Sequence, residues 1–267
     1  MKGRVLICAG SDSGGGAGIQ ADIKAVTALG GFAMTAITAL TAQNTLGVQE
    51  VLGIPPAFIR AQIASVLDDL GADAIKTGML HDSATIEAVC GELAARAPGV
   101  PLVADPVMVA KGGHRLLAAE AVETLKRRLV PLASVITPNI PEAEVLAGME
   151  IRSEADMHHA AEALLTLGVP AVLLKGGHLE SERLVDLLAT PEGVTRFEDA
   201  RIATTQTHGT GCTLASAIAA GLAQGMALHD AVARARRYVR AAILAAPGYG
   251  AGHGPLNHAV TIDPARL

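Results

Sequence analysis

Val5-Leu6-Ile7-Cys8-Ala9, then Gly10-Ser11-Asp12-Ser13-Gly14-Gly15-Gly16-Ala17-Gly18, then Ile19-Gln20-Ala21-Asp22-Ile23-Lys24 read as an apolar strand, a glycine-rich loop and a helix, in that order. The loop lacks the terminal Gly-Lys-Ser/Thr of a Walker A sequence. No acidic residue follows a second strand where a dinucleotide fingerprint needs one. Its small residues predict a ligand or another stretch of backbone passing very close; a merely flexible connector is the alternative.

The same alternation continues along the chain. Strands are predicted at residues 32–39, 74–77, 102–105, 135–137 and 171–175, and helices at 57–70, 83–96, 118–129, 142–146 and 154–167. Continuously apolar strands between helices mean one large α/β domain over residues 1–267: a mostly parallel sheet covered on both faces, which binds ligands at the carboxyl ends of its strands. Residues 184–188, 195–197 and 202–203 read as short strands joined by turns such as Pro191-Glu192-Gly193, a short antiparallel appendix. Helices at 213–223 and 229–245 close the chain.

A second glycine loop, Thr207-His208-Gly209-Thr210-Gly211-Cys212-Thr213, stands just before the penultimate helix. Gly209 and Gly211 can bring bare backbone N–H groups to a ligand while the helix turns its partially positive end to the same spot, an arrangement suited to phosphate. A tight turn is the plain alternative. Polar clusters fall where strands end: Asp105-Pro106-Val107-Met108, Thr137-Pro138-Asn139-Ile140-Pro141-Glu142 and Lys175-Gly176-Gly177-His178. Asp105 and Glu142 are hard oxygen ligands of the kind Mg²⁺ uses beside phosphates, and Lys175 is a point charge for a β- or γ-phosphate. Taken singly, Asp105 also fits a helix cap, Glu142 a dipole partner and Lys175 a surface charge.

Composition excludes several classes. With no Trp, two Tyr and three Phe, the chain lacks stacking platforms for single-stranded nucleic acid. The net charge is −5, and Arg234, Arg236, Arg237 and Arg240 spread over a helix face, so nucleic acid is not an expected partner. No run reaches the length of a membrane span and no leader pattern opens the chain, which predicts a soluble, cytoplasmic protein. Cys8 and Cys90 lie in apolar runs, and Cys212 alone is placed for chemistry.

Taken together, these residues resemble the ribokinase superfamily, and within it the hydroxymethylpyrimidine/phosphomethylpyrimidine kinases of thiamine biosynthesis. The resemblance covers essentially the whole chain. It is carried by the first glycine loop through Asp22, Thr38-Ala39-Leu40-Thr41-Ala42-Gln43-Asn44-Thr45, Lys76-Thr77-Gly78-Met79-Leu80, the three strand-end clusters, the second glycine loop, and Gly252-His253-Gly254-Pro255-Leu256-Asn257-His258. Cys212 stands where most of the superfamily has Asp, as in these pyrimidine kinases.

The resemblance implies a ribokinase-like three-layer α/β/α fold. It implies ATP- and Mg²⁺-dependent phosphorylation of 4-amino-5-hydroxymethyl-2-methylpyrimidine and then of its monophosphate, in a homodimer. Gln43 would read the pyrimidine, Ala17, Met79 and Val107 would sandwich it, and Gly10 and Asp22 would complete that pocket, Asp22 near the hydroxymethyl group. Gly209, Thr210, Gly211 and Cys212 would hold the migrating phosphoryl group. Lys175, Asn139, Thr210 and Gly211 would bind ATP, and Asp105 and Glu142 would hold Mg²⁺ through water. Cys212 would be nearest the accepting alcohol, its pKa of about 8.5 lowered by the helix end. Where the family usually has Ser-Gly and a polar residue after Ala110-Lys111, this chain has Gly112-Gly113-His114; Lys111 and His114 offer charge there, and a solvated loop is the alternative. Rival readings are a pyridoxal or pyridoxine kinase, a cysteine hydrolase using Cys212 with His208, and a silent ligand-binding module.

Overall fold

The computed structural model describes residues 1–108, 116–118, 120–179, 181–263 and 265. The strand β1 (Arg4–Asp12) runs along the middle of the molecule because it is apolar on both faces. Val5, Ile7 and Ala9 face one core with the helices α1 (Gly18–Ala28), α7 (Thr210–Ala223) and α8 (Leu228–Leu244). Leu6 and Cys8 face a second core with α2 (Pro56–Asp69), α3 (Ser83–Arg96), α5 (Ile140–Ala147) and α6 (Glu154–Leu165). The period-two alternation of a strand thus feeds both cores, which is the three-layer arrangement expected. Cys8 and Cys90 are buried in the second core, where burial pushes each thiol up to about 12.

Eight further strands complete one sheet: β2 (Phe32–Asn44), β3 (Gly47–Gly53), β4 (Ala74–Thr77), β5 (Leu102–Ala104), β6 (Val135–Ile136), β7 (Val172–Lys175), β8 (Arg183–Thr190) and β9 (Gly193–Ala200), in the order β3-β2-β1-β4-β5-β6-β7-β8-β9. From β2 through β7 the pairings are parallel, so the carboxyl ends of these strands share one rim. Helix starts are fixed chemically: the Asp82 carboxylate accepts the Thr85 amide at 2.8 Å ahead of α3, and Ser153 Oγ accepts the Asp156 amide at 3.2 Å ahead of α6.

The short antiparallel appendix is β8 and β9, which extend the main sheet at one edge. Three expectations change. The opposite edge also ends antiparallel, because β2 continues five residues past Ala39 and turns back as β3. Residues 202–203 form no strand: the sheet ends at Ala200, and Arg201 leaves it by donating to the carbonyl oxygens of Gly177, Leu179 and Ser181. The helix expected over 118–129 is α-helical only at α4 (Ala121–Thr124), and over Leu125–Leu129 it widens into a π turn.

Candidate active site

The two glycine loops lie back to back. Gly209, at φ 79°, caps α7 from the left-handed region, and a side chain on it would collide with the Gly16 carbonyl; one on Gly16 would strike the His208 ring. Asp12 joins the loops. Its Oδ1 accepts the Gly14 amide at 2.8 Å, and its Oδ2 accepts the amides of Gly16 at 3.0 Å and Ala17 at 2.8 Å and lies 2.8 Å from His208 Nε2. Burial pushes the Asp12 carboxyl up, but the His208 ring and the amides outweigh it and hold it below the ordinary range. So many bonds to one carboxylate make the first loop a fixed wall, not a flexible connector.

Helix α7 has no side-chain cap; the Thr210 amide donates to the Thr207 carbonyl at 3.3 Å, and the amides of Gly211 and Cys212 keep their hydrogens for another acceptor. They open on a cleft of about 670 Å³ at the carboxyl rim of the sheet. Asp105 (β5 end), Glu142 (first turn of α5) and Lys175 (β7 end) all reach it. Lys175 Nζ donates to Asp105 Oδ1 at 3.1 Å, and the same oxygen accepts Thr137 Oγ1 at 3.0 Å. A side chain on Gly211 would sit 3.3 Å from Lys175 Nζ, so the helix end and the ammonium face one spot. Asn139 caps α5 with a capping box: its side chain accepts the Glu142 amide at 3.0 Å and its own amide donates to Glu142 Oε2 at 2.8 Å. Burial pushes the Glu142 carboxyl up to about 7; Lys175 pulls it back, Asp105 adds to the rise, and the Asn139 and Met108 amides oppose it.

Gly10, Ala17, Gln43, Met79 and Val107 line the same cleft, as do Thr210, Cys212 and Lys175. A side chain on Gly10 would press on Met79 Sδ at 3.0 Å. Gln43 sits at an irregularity in the β2–β3 pairing, which turns it off the regular alternation.

Two site expectations need correction. Asp22 does not reach the cleft: it is fully buried, with both oxygens on Lys76 Nζ at 3.0 and 2.9 Å and Ser216 Oγ on Oδ1 at 2.7 Å. The Cys212 thiol is pushed up to about 12, not down, because desolvation exceeds the help of Lys76 and the Gly18 amide. Asp12 and Lys76 had no role assigned in the sequence reading, and His208 entered it only as the partner of Cys212 in the hydrolase alternative. Lys76 carried a signal, since a lysine in the middle of an apolar strand must have a buried counter-ion. Lys111, Gly112, Gly113 and His114 lie outside the described residues.

Comparison with known proteins gives the family and the fold. The family model for phosphomethylpyrimidine kinase matches residues 12–257. The chain is 52% identical over 265 residues to the thiamine biosynthesis bifunctional protein ThiED of Geobacter sulfurreducens, a match covering 99% of this chain and 54% of that one, so it spans about half that relative's length. It is 47% identical over 254 residues to the hydroxymethylpyrimidine/phosphomethylpyrimidine kinase of Streptomyces coelicolor, covering 95% of this chain and 93% of that one. Among solved structures, the ADP complex of Bacillus subtilis pyridoxal kinase superposes with a TM-score of 0.91 at 38% identity, over 98% of this chain and 100% of that one, which makes the fold ribokinase-like. With the match to the family model running from the first loop's Asp12 to the Asn257 of the closing tail, the chain belongs to the phosphomethylpyrimidine kinase family.

Proposed function

We propose that this protein is a cytoplasmic kinase that transfers the terminal phosphoryl group of ATP to the hydroxymethyl group of 4-amino-5-hydroxymethyl-2-methylpyrimidine, and then a second one to the resulting monophosphate. The observation that carries the reading is a single cleft with Lys175 beside the open helix end at Gly211 and the Gln43 amide beside His208. An amide donates and accepts at once, which matches a ring nitrogen beside an exocyclic amine. Gly10, Ala17, Met79 and Val107 supply a flat apolar slot for the ring.

Phosphoryl transfer asks for positioning and charge neutralisation. The first-turn amides of α7 at Gly211 and Cys212 face the travelling phosphoryl oxygens, and Lys175 trades its bond with Asp105 for a phosphate. Asn139 and Thr210 flank the nucleotide phosphates. The donor set suits a hydrated Mg²⁺: Asp105 and Glu142 are hard oxygen donors on the same cleft, and Asp105 adds to the cost of ionising the buried Glu142. These two carboxylates would hold the ion through water, and it would supply charge neutralisation at the phosphates. Cys212, beside both loops, receives the alcohol. As a neutral thiol it accepts a hydrogen bond from the hydroxyl and positions it, and the alcohol's proton passes late to an oxygen of the transferred phosphoryl group.

The pyridoxal kinases on the same fold favour one second reading, a kinase of hydroxymethylated pyridines. Phosphorus NMR of ATP, Mg²⁺ and the pyrimidine alcohol with purified protein separates no product, monophosphate and pyrophosphate in one experiment. A larger kcat/KM on pyridoxal than on the pyrimidine would replace the first reading by the second. A homodimer accompanies the proposal, supported by Leu46, Leu52 and Phe58 standing exposed near the β2–β3 edge; light scattering measures it. Among the described residues no helix is long and apolar enough to cross a membrane.

A further inference from the structure

An amide side chain has two chemically opposite ends, and the neighbours of Gln43 decide which end goes where. In the structure Gln43 Oε1 lies 3.2 Å from Thr41 Oγ1, and Nε2 lies 3.5 Å from His208 Nε2. Both neighbours are already committed. Thr41 has one hydroxyl hydrogen, and the Ser11 carbonyl oxygen takes it at 2.9 Å, so Thr41 has only a lone pair left for Gln43. His208 Nε2 is 2.8 Å from Asp12 Oδ2, an oxygen that already accepts two backbone amides. An ionised carboxylate only accepts, so His208 Nε2 carries the ring proton. Gln43 therefore sets an oxygen against a lone pair and an N–H against an N–H. A half-turn of the amide about its last bond, which moves no other group and exchanges atoms of nearly equal size, converts both conflicts into hydrogen bonds.

We propose that Thr41 and His208 are positioning residues that hold the Gln43 amide with Nε2 on the Thr41 side and Oε1 on the His208 side, and that this handedness orients the heterocycle in the cleft. For the substrate this rests on the function proposed above. The amide oxygen accepts from the exocyclic amine and its N–H donates to the adjacent ring nitrogen. In the aminopyrimidine the hydroxymethyl group neighbours the amine on the side away from that nitrogen. Placing the amine by His208 carries the alcohol toward Gly209–Cys212, the turn that begins one residue later. The reversed amide would carry it toward Thr41, away from the phosphoryl site.

Neutron diffraction on the deuterium-exchanged, unliganded wild-type protein tests the assignment without any substrate. The expected map places the Gln43 N–D group against Thr41 Oγ1 and the bare oxygen against the His208 N–D; the opposite order overturns the proposal. Steady-state kinetics test its consequence. Thr41→Val frees the amide to turn, so only a fraction of the protein is competent, and KM for the pyrimidine alcohol rises roughly five- to tenfold while kcat and KM for ATP hold within about twofold. Thr41→Ser keeps the oxygen and restores the wild-type KM. An unchanged KM in Thr41→Val, or equal losses in both variants, overturns it. A wild-type protein that ignores the pyrimidine sinks the functional reading alone, and the neutron map still decides the amide.

Discussion

Two lysine–aspartate pairs on the same sheet serve different ends. Lys76, in the middle of β4, gives hydrogen bonds to both oxygens of Asp22, Ser216 adds a third bond to that carboxylate, and both ionic side chains are 0% exposed. Lys175, at the end of β7, makes one bond to Asp105 at 3.1 Å and is 15% exposed to the cleft. The first pair is wholly buried and locks both carboxylate oxygens, so it braces the scaffold under the glycine loops and reaches the cleft only through the charge it sets beside Cys212. The second has spare donors and an open side, so a ligand phosphate can take over the ammonium. Residue type does not separate scaffold from site here; burial and position along the strand do.

Cutting the sealed pair gives the largest expected effect. Lys76→Met leaves Asp22 buried without its cation and should cost about 3–5 kcal/mol of stability by urea denaturation, with Lys76→Met/Asp22→Leu recovering most of it. A single variant as stable as wild type would show that the pair is not sealed in solution. Lys175→Met should do the converse: a kcat about 10²–10³ lower with a cooperative, near-wild-type unfolding transition. If Lys175→Met unfolded the protein as Lys76→Met does, the distinction between the pairs would collapse.

Sequence alone put both members of the open pair at strand ends on one rim and misplaced Asp22 of the sealed pair. Lys175 was legible because it ends an apolar strand just before Gly176-Gly177, on the rim where such sheets bind ligands. Asp22 was not, because helical periodicity places a residue on a face without saying whether that face meets a cleft or a buried lysine 54 positions away. The central strands β1, β4, β5, β6 and β7 were legible from continuous apolar runs. The edge strand β3 was not, since Gly47–Gly53 is short, half polar and defined only by its pairing to β2. The two glycine loops were legible as loops. That Asp12 and His208 clasp them together was not, because the clasp spans 196 residues.

The same contrast of sealed and open charge yields a pH dependence at Glu142. Its folded carboxyl titrates near 7, above the ordinary 4.5, so between those values the folded state holds more protons than the unfolded one. Stability contributed by this group is therefore fully present below about pH 4.5 and is lost as pH rises through about 7. Glu142→Gln keeps an oxygen for the Asn139 amide and removes the cost of ionisation. It should stabilise the unliganded protein by about 1–3 kcal/mol at pH 8 and by almost nothing at pH 4, while lowering activity at saturating ATP. Thermal unfolding across that range checks it; a stabilisation independent of pH would place the gain elsewhere.

The smallest expected effect concerns Cys212, which touches both regions: the Gly18 amide of one loop donates toward its sulfur and Lys76 lies near enough to act on it. Burial nevertheless keeps the thiol neutral, so alkylation of Cys212 in the unliganded protein should accelerate about tenfold per pH unit through pH 10 without a plateau. A plateau near the ordinary thiol value would mean that the helix end outweighs burial. A neutral thiol can only position an acceptor by accepting a hydrogen bond from its hydroxyl, so it helps only an acceptor that still carries that proton. Cys212→Ala should therefore slow phosphorylation of the alcohol about ten- to a hundredfold, at or below the low end of the usual effect of a general base. Transfer to the monophosphate, an acceptor already mostly ionised, should stay within about threefold. Separate phosphorus NMR progress curves from each acceptor give both numbers. Equal losses would assign the thiol to packing between the loops, and so to the scaffold side of the comparison.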